Sequence, residues 1–368
     1  TIKGNITNII LPFIVIAQMI YINGRFLTQE ITGVQRFAYE ISLSLSCIRT
    51  DVVILVPSIS LIKDDYDIVQ LNIKELTGGR GHWWEQVTLP FFLIKNGYDL
   101  LLNLCNTGPA FYRNKIVTQH DISYIRYPDS FSRKFRFYYT YLAPILLKTS
   151  KFVVTVSEFS KKEISGFYHI DENKIHVISN AVSDSFITEG SSTRLSEDYF
   201  LTVSSVNYYK NIHRLVDAFL ESGLQIQLKI IGSRASVFNH VNINTSDSKI
   251  CFMGRVTDRE LAELYKGAKA FIFPSLYEGF GIPPLEAQAC CCPVISSDRA
   301  AMKEVLGNSV LYFDPESYSD IIETISNFYK NPFIRDELVA KGKRNTLRFS
   351  WSNSANKLSI LIDSTLSE

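Results

Sequence analysis

Short apolar runs alternate with longer amphipathic stretches along most of this chain. Val52–Val56, Tyr199–Val203 and Ala270–Phe273 are nearly continuous apolar runs, whereas Ile212–Leu220 and Asp258–Lys266 repeat apolar residues at helical spacing. Such short apolar runs are typical of strands that are buried on both faces of a parallel sheet, and amphipathic stretches are typical of the helices that cover it. The pattern predicts an α/β fold.

The other predicted elements show the same two patterns. Further strands are predicted at Met19–Phe26, Tyr98–Leu104, Ile116–His120, Lys151–Val156, Lys174–Ile178, Gln227–Gly232 and Lys249–Phe252, and a last helix runs from Trp351 to about Thr365. The start of the chain is unusual, because residues 9–22 are almost wholly apolar yet fall short of the roughly 20 residues that a membrane-spanning helix needs. We interpret the residues before Met19 as an extra or membrane-apposed segment.

Length and composition predict two α/β domains. The chain has 368 residues, and this length is more than a single hydrophobic core usually supports. Its hydrophobic fraction of 46% is enough for two cores. The polar stretch Asn180–Asp198 contains Gly190-Ser191-Ser192 and is the predicted linker. The formal net charge is only +1, which gives no support for a nucleic-acid partner, since such a partner requires a strongly basic surface.

The cysteines indicate neither a disulfide scaffold nor a metal site. The chain has six, of which Cys290, Cys291 and Cys292 are consecutive. Consecutive side chains diverge, so these three cannot close around one metal ion, and no second pair at zinc spacing exists. Reduced thiols in a cytosolic protein are the simpler interpretation.

The stretch AFIFPSLYEGFGIPPLE, residues 270–286, carries the strongest functional signal. It predicts a buried strand, a turn at Gly279 and Gly281, and a helix that begins at the two following prolines. At the carboxyl end of a parallel strand this order makes a ligand crevice, and free helix amides there favour anionic oxygens. Glu278 precedes the turn and Glu286 is expected in the first helical turn. Taken alone, Glu286 could instead complement only the helix amino terminus, and Glu278 could instead be a solvated loop acid.

This stretch, with Ala287 and Pro293-Val294-Ile295 after it, resembles the signature of the family 4 retaining glycosyltransferases. The resemblance implies the GT-B arrangement, in which two Rossmann-like domains with parallel sheets face each other across a cleft. It divides the chain into an acceptor-side domain at residues 1–182, a donor-side domain at residues 183–350, and a helix at residues 351–368 that crosses back to the first domain. It also implies that Glu278 faces the transferred sugar and that Glu286 binds the nucleotide ribose. Further donor contacts are expected from Gly279, Phe280, Gly281 and Ile282.

Two candidate residues follow strands of the first domain. Gly33 lies at the first strand-to-helix corner, where a glycine lets backbone approach a phosphate or sugar, although an ordinary loop glycine is the alternative. The family often has a second glycine where this chain has Gln35. His120 ends a strand and has a family counterpart beside the transferred sugar, so it is predicted to position the sugar or its leaving phosphate. A hydrogen-bonded structural histidine is the alternative.

Three other positions compare with the family pattern. Lys210 and Asn211 match a basic residue and an asparagine that grip the donor diphosphate, whereas Tyr209 replaces the usual arginine. Arg255 and Val256 follow Gly254 in a turn through which family members read the base, largely by backbone. Cys291 replaces a glycine and is expected to fit if its φ stays negative.

The resemblance implies a retaining, metal-independent glycosyltransferase without a cofactor. Its donor would be a nucleotide-sugar, with GDP-mannose preferred and UDP- or dTDP-sugars as alternatives. Its acceptor would be a glycan or a lipid-linked glycan in O-antigen or capsule synthesis. Lys210 would stabilise the departing phosphate while Glu278 stands on the sugar side. A GT-B epimerase or phosphorylase and a non-catalytic nucleotide-sugar-binding subunit remain alternatives.

A last feature concerns the membrane. Residues 127–148 mix aromatic and basic side chains, including Phe131, Arg133, Phe135 and Arg136. A helix of this composition is suited to the anionic inner face of a membrane, where a lipid-linked acceptor resides. It is equally suited to bury one aromatic face and expose a basic one.

Two adjacent tryptophans are a separate feature. Of Trp83 and Trp84, which cannot both face inward, one is expected to line the cleft.

Overall fold

The computed structural model describes residues 19–187, 198–203, 207–232 and 247–367. Within these ranges the strands form two fully parallel sheets. The first sheet has seven strands in the order β3-β2-β1-β4-β5-β6-β7, and the second has six in the order β10-β9-β8-β11-β12-β13. The strand bounds are β1 Ile20–Asn23, β2 Val52–Val56, β3 Ile73–Glu75, β4 Leu100–Asn103, β5 Lys115–Thr118, β6 Phe152–Thr155, β7 Ile175–Val177, β8 Tyr199–Val203, β9 Gln227–Ile231, β10 Ile250–Gly254, β11 Ala270–Phe273, β12 Val294–Ser297 and β13 Leu311–Phe313.

Helices connect these strands. Those of the first half are α1 Gly33–Ile48, α2 Gly81–Trp83, a π-helical turn Trp84–Thr88, α3 Leu89–Lys95, α4 Ser123–Arg126, α5 Arg133–Thr149 and α6 Glu158–Tyr168. Those described in the second half are α7 Ile212–Glu221, α8 Asp258–Gly267, α9 Ile282–Ala289, α10 Met302–Leu306, α11 Tyr318–Lys330, α12 Phe333–Thr346 and α13 Trp351–Ser367. No helix in the described ranges has both the length and the apolar character needed to cross a membrane.

The strand order places the crevice. In the first sheet the order reverses between β1 and β4, and in the second between β8 and β11. Ligands of open parallel sheets bind outside the carboxyl ends of the strands at such a reversal. The turns that follow β1, β8 and β11 carry Gly33, Lys210 and Glu278. The predicted site residues therefore follow the strands next to both reversals.

The predicted α/β fold with two parallel sheets is confirmed, and several predicted strands were longer than the observed ones. Strand β1 ends at Asn23 rather than Phe26, and Gly24–Thr28 forms a 3₁₀ helix. The Asn23 side chain accepts a hydrogen bond from the Arg25 amide, which begins this helix. The predicted extra segment before Met19 and most of the predicted linker lie outside the described residues.

Helix α13 packs on the first half of the molecule. It contacts α1, and its Ser354 hydroxyl donates to the Ser179 carbonyl at 2.7 Å. Near its other end, Arg49 donates to the Asp363 carboxylate at 2.6 Å. The helix that follows the second sheet thus contacts the first half of the molecule.

Cys291 has a left-handed backbone, with φ 61°. The condition under which a cysteine fits without strain, a negative φ, is therefore not met, because the chain must turn sharply between the end of α9 and β12. The Cys291 amide donates to the Gln288 carbonyl and the Cys292 amide donates to the Ala287 carbonyl, at 3.1 and 2.8 Å, which closes this turn. A side chain with a Cβ is strained in this region, where glycine is not.

We expect Cys291→Gly to be more stable to unfolding than Cys291→Ala by about 1 kcal/mol, because only glycine relieves the left-handed strain. Both variants lose the thiol, so their difference isolates the backbone effect. Urea unfolding of the two purified proteins measures it. A Cys291→Ala variant as stable as Cys291→Gly would show that the turn carries no strain.

Candidate active site

Lys210 and Glu278 meet in the crevice. Lys210 ends the 3₁₀ turn Tyr208–Lys210 after β8, and Glu278 lies in the loop after β11. The Lys210 Nζ and Glu278 Oε1 atoms are 2.6 Å apart, and 20% and 13% of the two side chains are exposed. Because β8 and β11 are hydrogen-bonded neighbours, the turns that follow them lie side by side.

This contact differs from the expected arrangement, in which Lys210 faces the donor phosphate and Glu278 faces the sugar. In this structure they form a direct ion pair, because each neutralises the other where little water reaches. Burial works against the charge on Lys210, but the Glu278 carboxylate outweighs it and the pKa of Lys210 is raised. The ammonium therefore stays charged and ready to bind an anion.

Gly279 holds the loop against the first half of the molecule. Its carbonyl accepts hydrogen bonds from the Ser157 and Ser160 hydroxyls, at 2.6 and 3.2 Å. A Cβ at this position would lie 2.8 Å from the His120 carbonyl oxygen and 2.9 Å from the Asp121 Cβ. Glycine is needed here for close approach between the two halves, which places Glu278 beside the strand end that carries His120.

Two helix N-termini converge on the crevice. Helix α1 begins at Gly33 and helix α9 begins at Ile282, and neither has a side-chain hydrogen bond to cap it. A Cβ on Gly33 would lie 3.9 Å from the Ile282 Cδ1 atom, so the two helix starts nearly touch. Gly281, with φ 89°, makes the turn into α9. Free amides and the positive ends of two helix dipoles favour an anion at this point.

Glu286 lies in a charged cluster behind these helix starts. It is the fifth residue of α9, one beyond the first turn where it was expected. It is buried and accepts from the Tyr265 hydroxyl at 3.4 Å. Burial raises the pKa of Glu286 to about 7, Arg36 lowers it and Asp258 raises it. Arg36 itself pairs with Asp258 at 2.6 Å, across the two halves of the molecule.

His120 is buried and already bonded. Its Nε2 atom donates to the Leu104 carbonyl at 3.0 Å, and its ring meets the Phe37 ring edge-on at 4.9 Å between centroids. Burial lowers the pKa of His120 to about 4, so the ring is neutral at physiological pH. These contacts agree with the structural alternative, and the sugar-positioning role stays a prediction.

Two predicted donor contacts lie behind the crevice surface. Asn211 is fully buried, and its amide donates to the Pro274 and Pro315 carbonyls at 3.2 and 2.8 Å. Phe280 is also buried and packs edge-on against the Phe349 ring at 5.3 Å. Both side chains therefore position the loops, and any donor contact must come from their backbone.

Arg255 and Val256 lie on the second-half side of the same cleft. Arg255 is largely exposed and pairs with Glu30 of the first half at 3.1 Å. Val256 is partly buried against the large core. The Arg255–Glu30 pair lies close in sequence to the Arg36–Asp258 pair, so residues 30–36 and residues 255–258 face each other.

Tyr209 extends an aromatic contact across the cleft in place of a cation. Its ring lies 5.6 Å from the Tyr127 ring and 6.2 Å from the Phe131 ring, centroid to centroid. The Lys210 ammonium lies 5.2 Å from the centroid of the Tyr209 ring. Where the family pattern has an arginine, Tyr209 therefore makes apolar contacts, and Lys210 is the cation of this turn.

Sequence reasoning did not assign two charged residues of the site. Arg36 follows Gly33 by one helical turn on α1, and this spacing from the predicted phosphate corner was the signal available. Asp121 lies beside the Gly279 loop and adds to the raised pKa of Lys210. Its proximity depends on how the two halves meet and had no local signal.

Other candidate sites do not compete with this one. Among the described residues, no three His, Cys, Asp or Glu side chains lie close enough together to hold a metal ion. A shallow cavity of about 980 Å³ opens between α7 and α11, lined by Glu221, Tyr318 and Lys330 among others. None of the predicted site residues lines it.

The two-sheet architecture with a crevice between the sheets is that of the GT-B glycosyltransferases. Sucrose-phosphate synthase from Thermosynechococcus elongatus superposes with a TM-score of 0.74 and 16% identity, over 95% of this chain and 99% of that one. HepE of Anabaena, solved with UDP and glucose, gives 0.73 and 14% identity over 94% of this chain and all of its own, 100%. WaaG, a lipopolysaccharide glycosyltransferase, gives 0.70 and 12% over 94% and 99%.

Sequence comparison identifies the family. The family model described as "Glycosyltransferase Family 4" matches residues 31–186, and the family model described as "Glycosyl transferases group 1" matches residues 185–345. The O-antigen chain mannosyltransferase RfbU of Salmonella typhimurium is 34% identical over 266 residues, which are 71% of this chain and 72% of RfbU. O-antigen chain mannosyltransferase B of Escherichia coli is 29% identical over 268 residues, 67% and 70% of the two chains. This chain belongs to the family 4 glycosyltransferases, and the family predicted from the motif around Glu278 is confirmed.

The buried Glu286 predicts a pH dependence of stability. Its pKa is near 4.5 in an unfolded chain and about 7 in the folded protein, so the folded state binds the proton more tightly. Stability should fall as the pH rises through this window, by about 2 to 3 kcal/mol between pH 5 and pH 8. The Glu286→Gln variant should lose this dependence and exceed the wild type in stability at pH 8. The free energy of unfolding of both proteins is measured in urea at a series of pH values. The same pH dependence for wild type and Glu286→Gln would contradict the raised pKa.

Proposed function

We propose that this enzyme is a retaining glycosyltransferase that moves a hexose, with mannose preferred, from a nucleotide diphosphate sugar to a glycan or lipid-linked acceptor in surface polysaccharide synthesis. The observation that carries the proposal is the Lys210–Glu278 pair beside the two helix starts at Gly33 and Ile282. A diphosphate needs cations and free amides, and an anomeric centre that gains positive charge needs a carboxylate. This crevice offers both within one contact distance.

Donor binding would divide the pair. The diphosphate would take Lys210 and the amides at the starts of α1 and α9, and Glu278 would then face the sugar. Glu286, beside Arg36, would bind the ribose. The proposal requires no divalent cation, because Lys210 and the helix amides face the charge of the leaving group.

The reaction breaks the bond between the anomeric carbon and the phosphate oxygen and forms one from that carbon to an acceptor hydroxyl oxygen. We propose attack from the same face that the phosphate leaves, with the acceptor proton passing to the departing phosphate oxygen. The products are the glycosylated acceptor and a nucleoside diphosphate, and the anomeric configuration is retained. Glu286 belongs to the ribose in this scheme and so is not available as a second carboxylate for double displacement.

The relatives support the sugar and the setting. RfbU and mannosyltransferase B are named as O-antigen chain mannosyltransferases, which favours mannose from GDP-mannose and an O-antigen acceptor. HepE, solved with UDP, keeps a UDP-sugar as the alternative donor, and a dTDP-sugar also remains. The six cysteines are free thiols, which favours the cytoplasm. We also propose that residues 1–182 serve the acceptor and residues 183–350 the donor, with residues 351–368 joining them.

The substitution Glu278→Gln tests the catalytic carboxylate. We expect transfer of labelled mannose from GDP-mannose to lipid-linked glycans of the source cells to fall on the order of a hundredfold to a thousandfold, because the charge facing the sugar is lost. GDP affinity should stay the same or rise, because Lys210 loses its competing partner. Glu323→Gln, an exposed acid on α11, is the matched control. Undiminished transfer by the Glu278 variant removes this residue from the mechanism.

A nucleotide panel tests the donor. Thermal unfolding with GDP, UDP, dTDP and ADP should show the largest stabilisation with GDP, about 2.7 kcal/mol at a hundred times its dissociation constant. Lys210→Ala should reduce the stabilisation by every nucleoside diphosphate, because the diphosphate contact is shared. A larger shift with UDP or dTDP would replace the GDP assignment. If no nucleotide shifts the transition, the donor proposal fails.

A further inference from the structure

Two exposed apolar stripes lie on helical segments of the first half. Residues 81–95 present Trp83, Val87, Phe91 and Ile94, which are 66%, 43%, 69% and 60% exposed. Helix α5 presents Phe137, Tyr141 and Ile145, of which the first two are 69% and 63% exposed. Both sets follow the spacing of about four residues that lines up side chains along one helix face.

The segments that carry the stripes contact each other. The His82 and Tyr138 rings lie 4.4 Å apart, centroid to centroid. The loop after β4 touches both segments, because the Ala110 amide donates to the Gln86 side chain at 2.9 Å and its carbonyl accepts from the Thr149 hydroxyl at 3.3 Å. The next residue of this loop, Phe111, is 89% exposed. The two stripes and Phe111 therefore belong to one neighbourhood of the surface, which we call the apolar face.

The inner side of residues 81–95 shows that the outward apolar stripe is not an accident of composition. The ring of Trp84 is fully buried and its Nε1 atom donates to the Leu76 carbonyl at 2.7 Å. Glu85 is buried and pairs with Arg25 at 3.1 Å. A charge points inward while Trp83 and Phe91 point outward, which is the reverse of an ordinary surface helix. One of the two tryptophans was expected to line the cleft. In the structure Trp83 is exposed on this outer stripe and Trp84 is fully buried, so we assign neither ring to the donor.

The exposed charges on the segments that carry the apolar face are positive. Six exposed cations lie on the segments that carry the two stripes and on the loop: Arg80, Lys95, Arg113, Arg133, Lys134 and Lys148. Residues 80–98, 110–115 and 131–150 contain one acid, the buried Glu85. The nearest acid before α5 is Asp129, which lies 3.9 Å from Arg136. Aromatic side chains set among an excess of cations, with Asp129 as a neighbouring exposed acid, match the interface of an anionic bilayer.

We propose that the apolar face docks on an anionic lipid bilayer, with Trp83, Phe91, Phe111 and Phe137 inserted among the headgroups and the surrounding lysines and arginines on lipid phosphates. A second copy of the chain is the less suitable occupant, because a two-fold contact would set the same cations against each other. The proposal deepens the proposed function, since it places the crevice next to a membrane-borne acceptor. It rests on surface observations that are independent of Glu278 and Lys210.

Vesicle co-sedimentation of the full chain tests the docking. Wild-type protein should bind vesicles that contain phosphatidylglycerol more tightly than pure phosphatidylcholine vesicles, and salt should weaken the binding. The double variant Trp83→Ser/Phe91→Ser should bind at least about tenfold more weakly, because two large apolar side chains no longer insert. A second variant, Lys134→Glu/Lys148→Glu, changes only exposed cations and should lose the preference for phosphatidylglycerol.

Phe333→Ser/Leu347→Ser is the matched control, since these two side chains are 86% and 82% exposed on the other half of the molecule. It should bind vesicles as the wild type does. The proposal is overturned if wild-type protein ignores anionic vesicles, or if the Trp83/Phe91 variant binds them undiminished. It is also overturned if sedimentation shows a dimer that only this variant dissociates.

Nucleotide binding separates this proposal from the catalytic one. All the surface variants should keep the wild-type thermal shift with GDP, because none of the substituted residues lies in the crevice. The Glu278→Gln variant should in turn keep wild-type vesicle binding. Failure of docking with intact nucleotide binding rejects the membrane face alone, and failure of nucleotide binding with intact docking rejects the donor site alone.

Discussion

The close backbone contact at Gly279 is the constraint on which the rest of this site depends. Two serine hydroxyls of the α6 start hold its carbonyl, and the absent side chain lets the loop lie against the His120 carbonyl. The Glu304 carboxylate strengthens the same junction by accepting from two amides at the start of α6, at 2.8 and 2.9 Å. Backbone contacts of this kind tolerate little displacement, so the loop after β11 is placed with respect to both sheets at once.

The charged groups near this junction form ion pairs, some between the two halves and some within one half. Lys210 and Glu278 neutralise each other in the crevice, while Arg36 is shared between Asp258 and the neighbourhood of Glu286. Lys210 has a full carboxylate partner and its pKa is raised. Among the described residues Glu286 forms no ion pair, and burial is the largest influence on its pKa. The same crevice thus keeps one group firmly charged and another near its titration point.

Aromatic contacts complete the closure where the family pattern has a cation. Tyr209 meets Tyr127 and Phe131 across the cleft, and Tyr277 meets Tyr127 and Phe159 beside it. These rings bury apolar area between the two halves. Tyr209 in the turn after β8 therefore contributes to the contact between the two halves.

The sequence by itself determined the features that depend on neighbours in the chain. The order of strand, glycine turn and helix at residues 270–286 is local, so the family was predictable from it. The α/β fold was predictable from the alternation of short apolar runs and amphipathic stretches along the chain. Tertiary structure decided whatever depends on how the two halves meet. It paired Lys210 directly with Glu278, enclosed Asn211 behind the loop and brought Arg36 to Glu286. It also imposed a left-handed backbone on Cys291, because closing the turn between α9 and β12 outweighs the preference of one residue. Spacing along a chain cannot specify such contacts, since their partners are far apart in sequence and approach only when the two sheets pack.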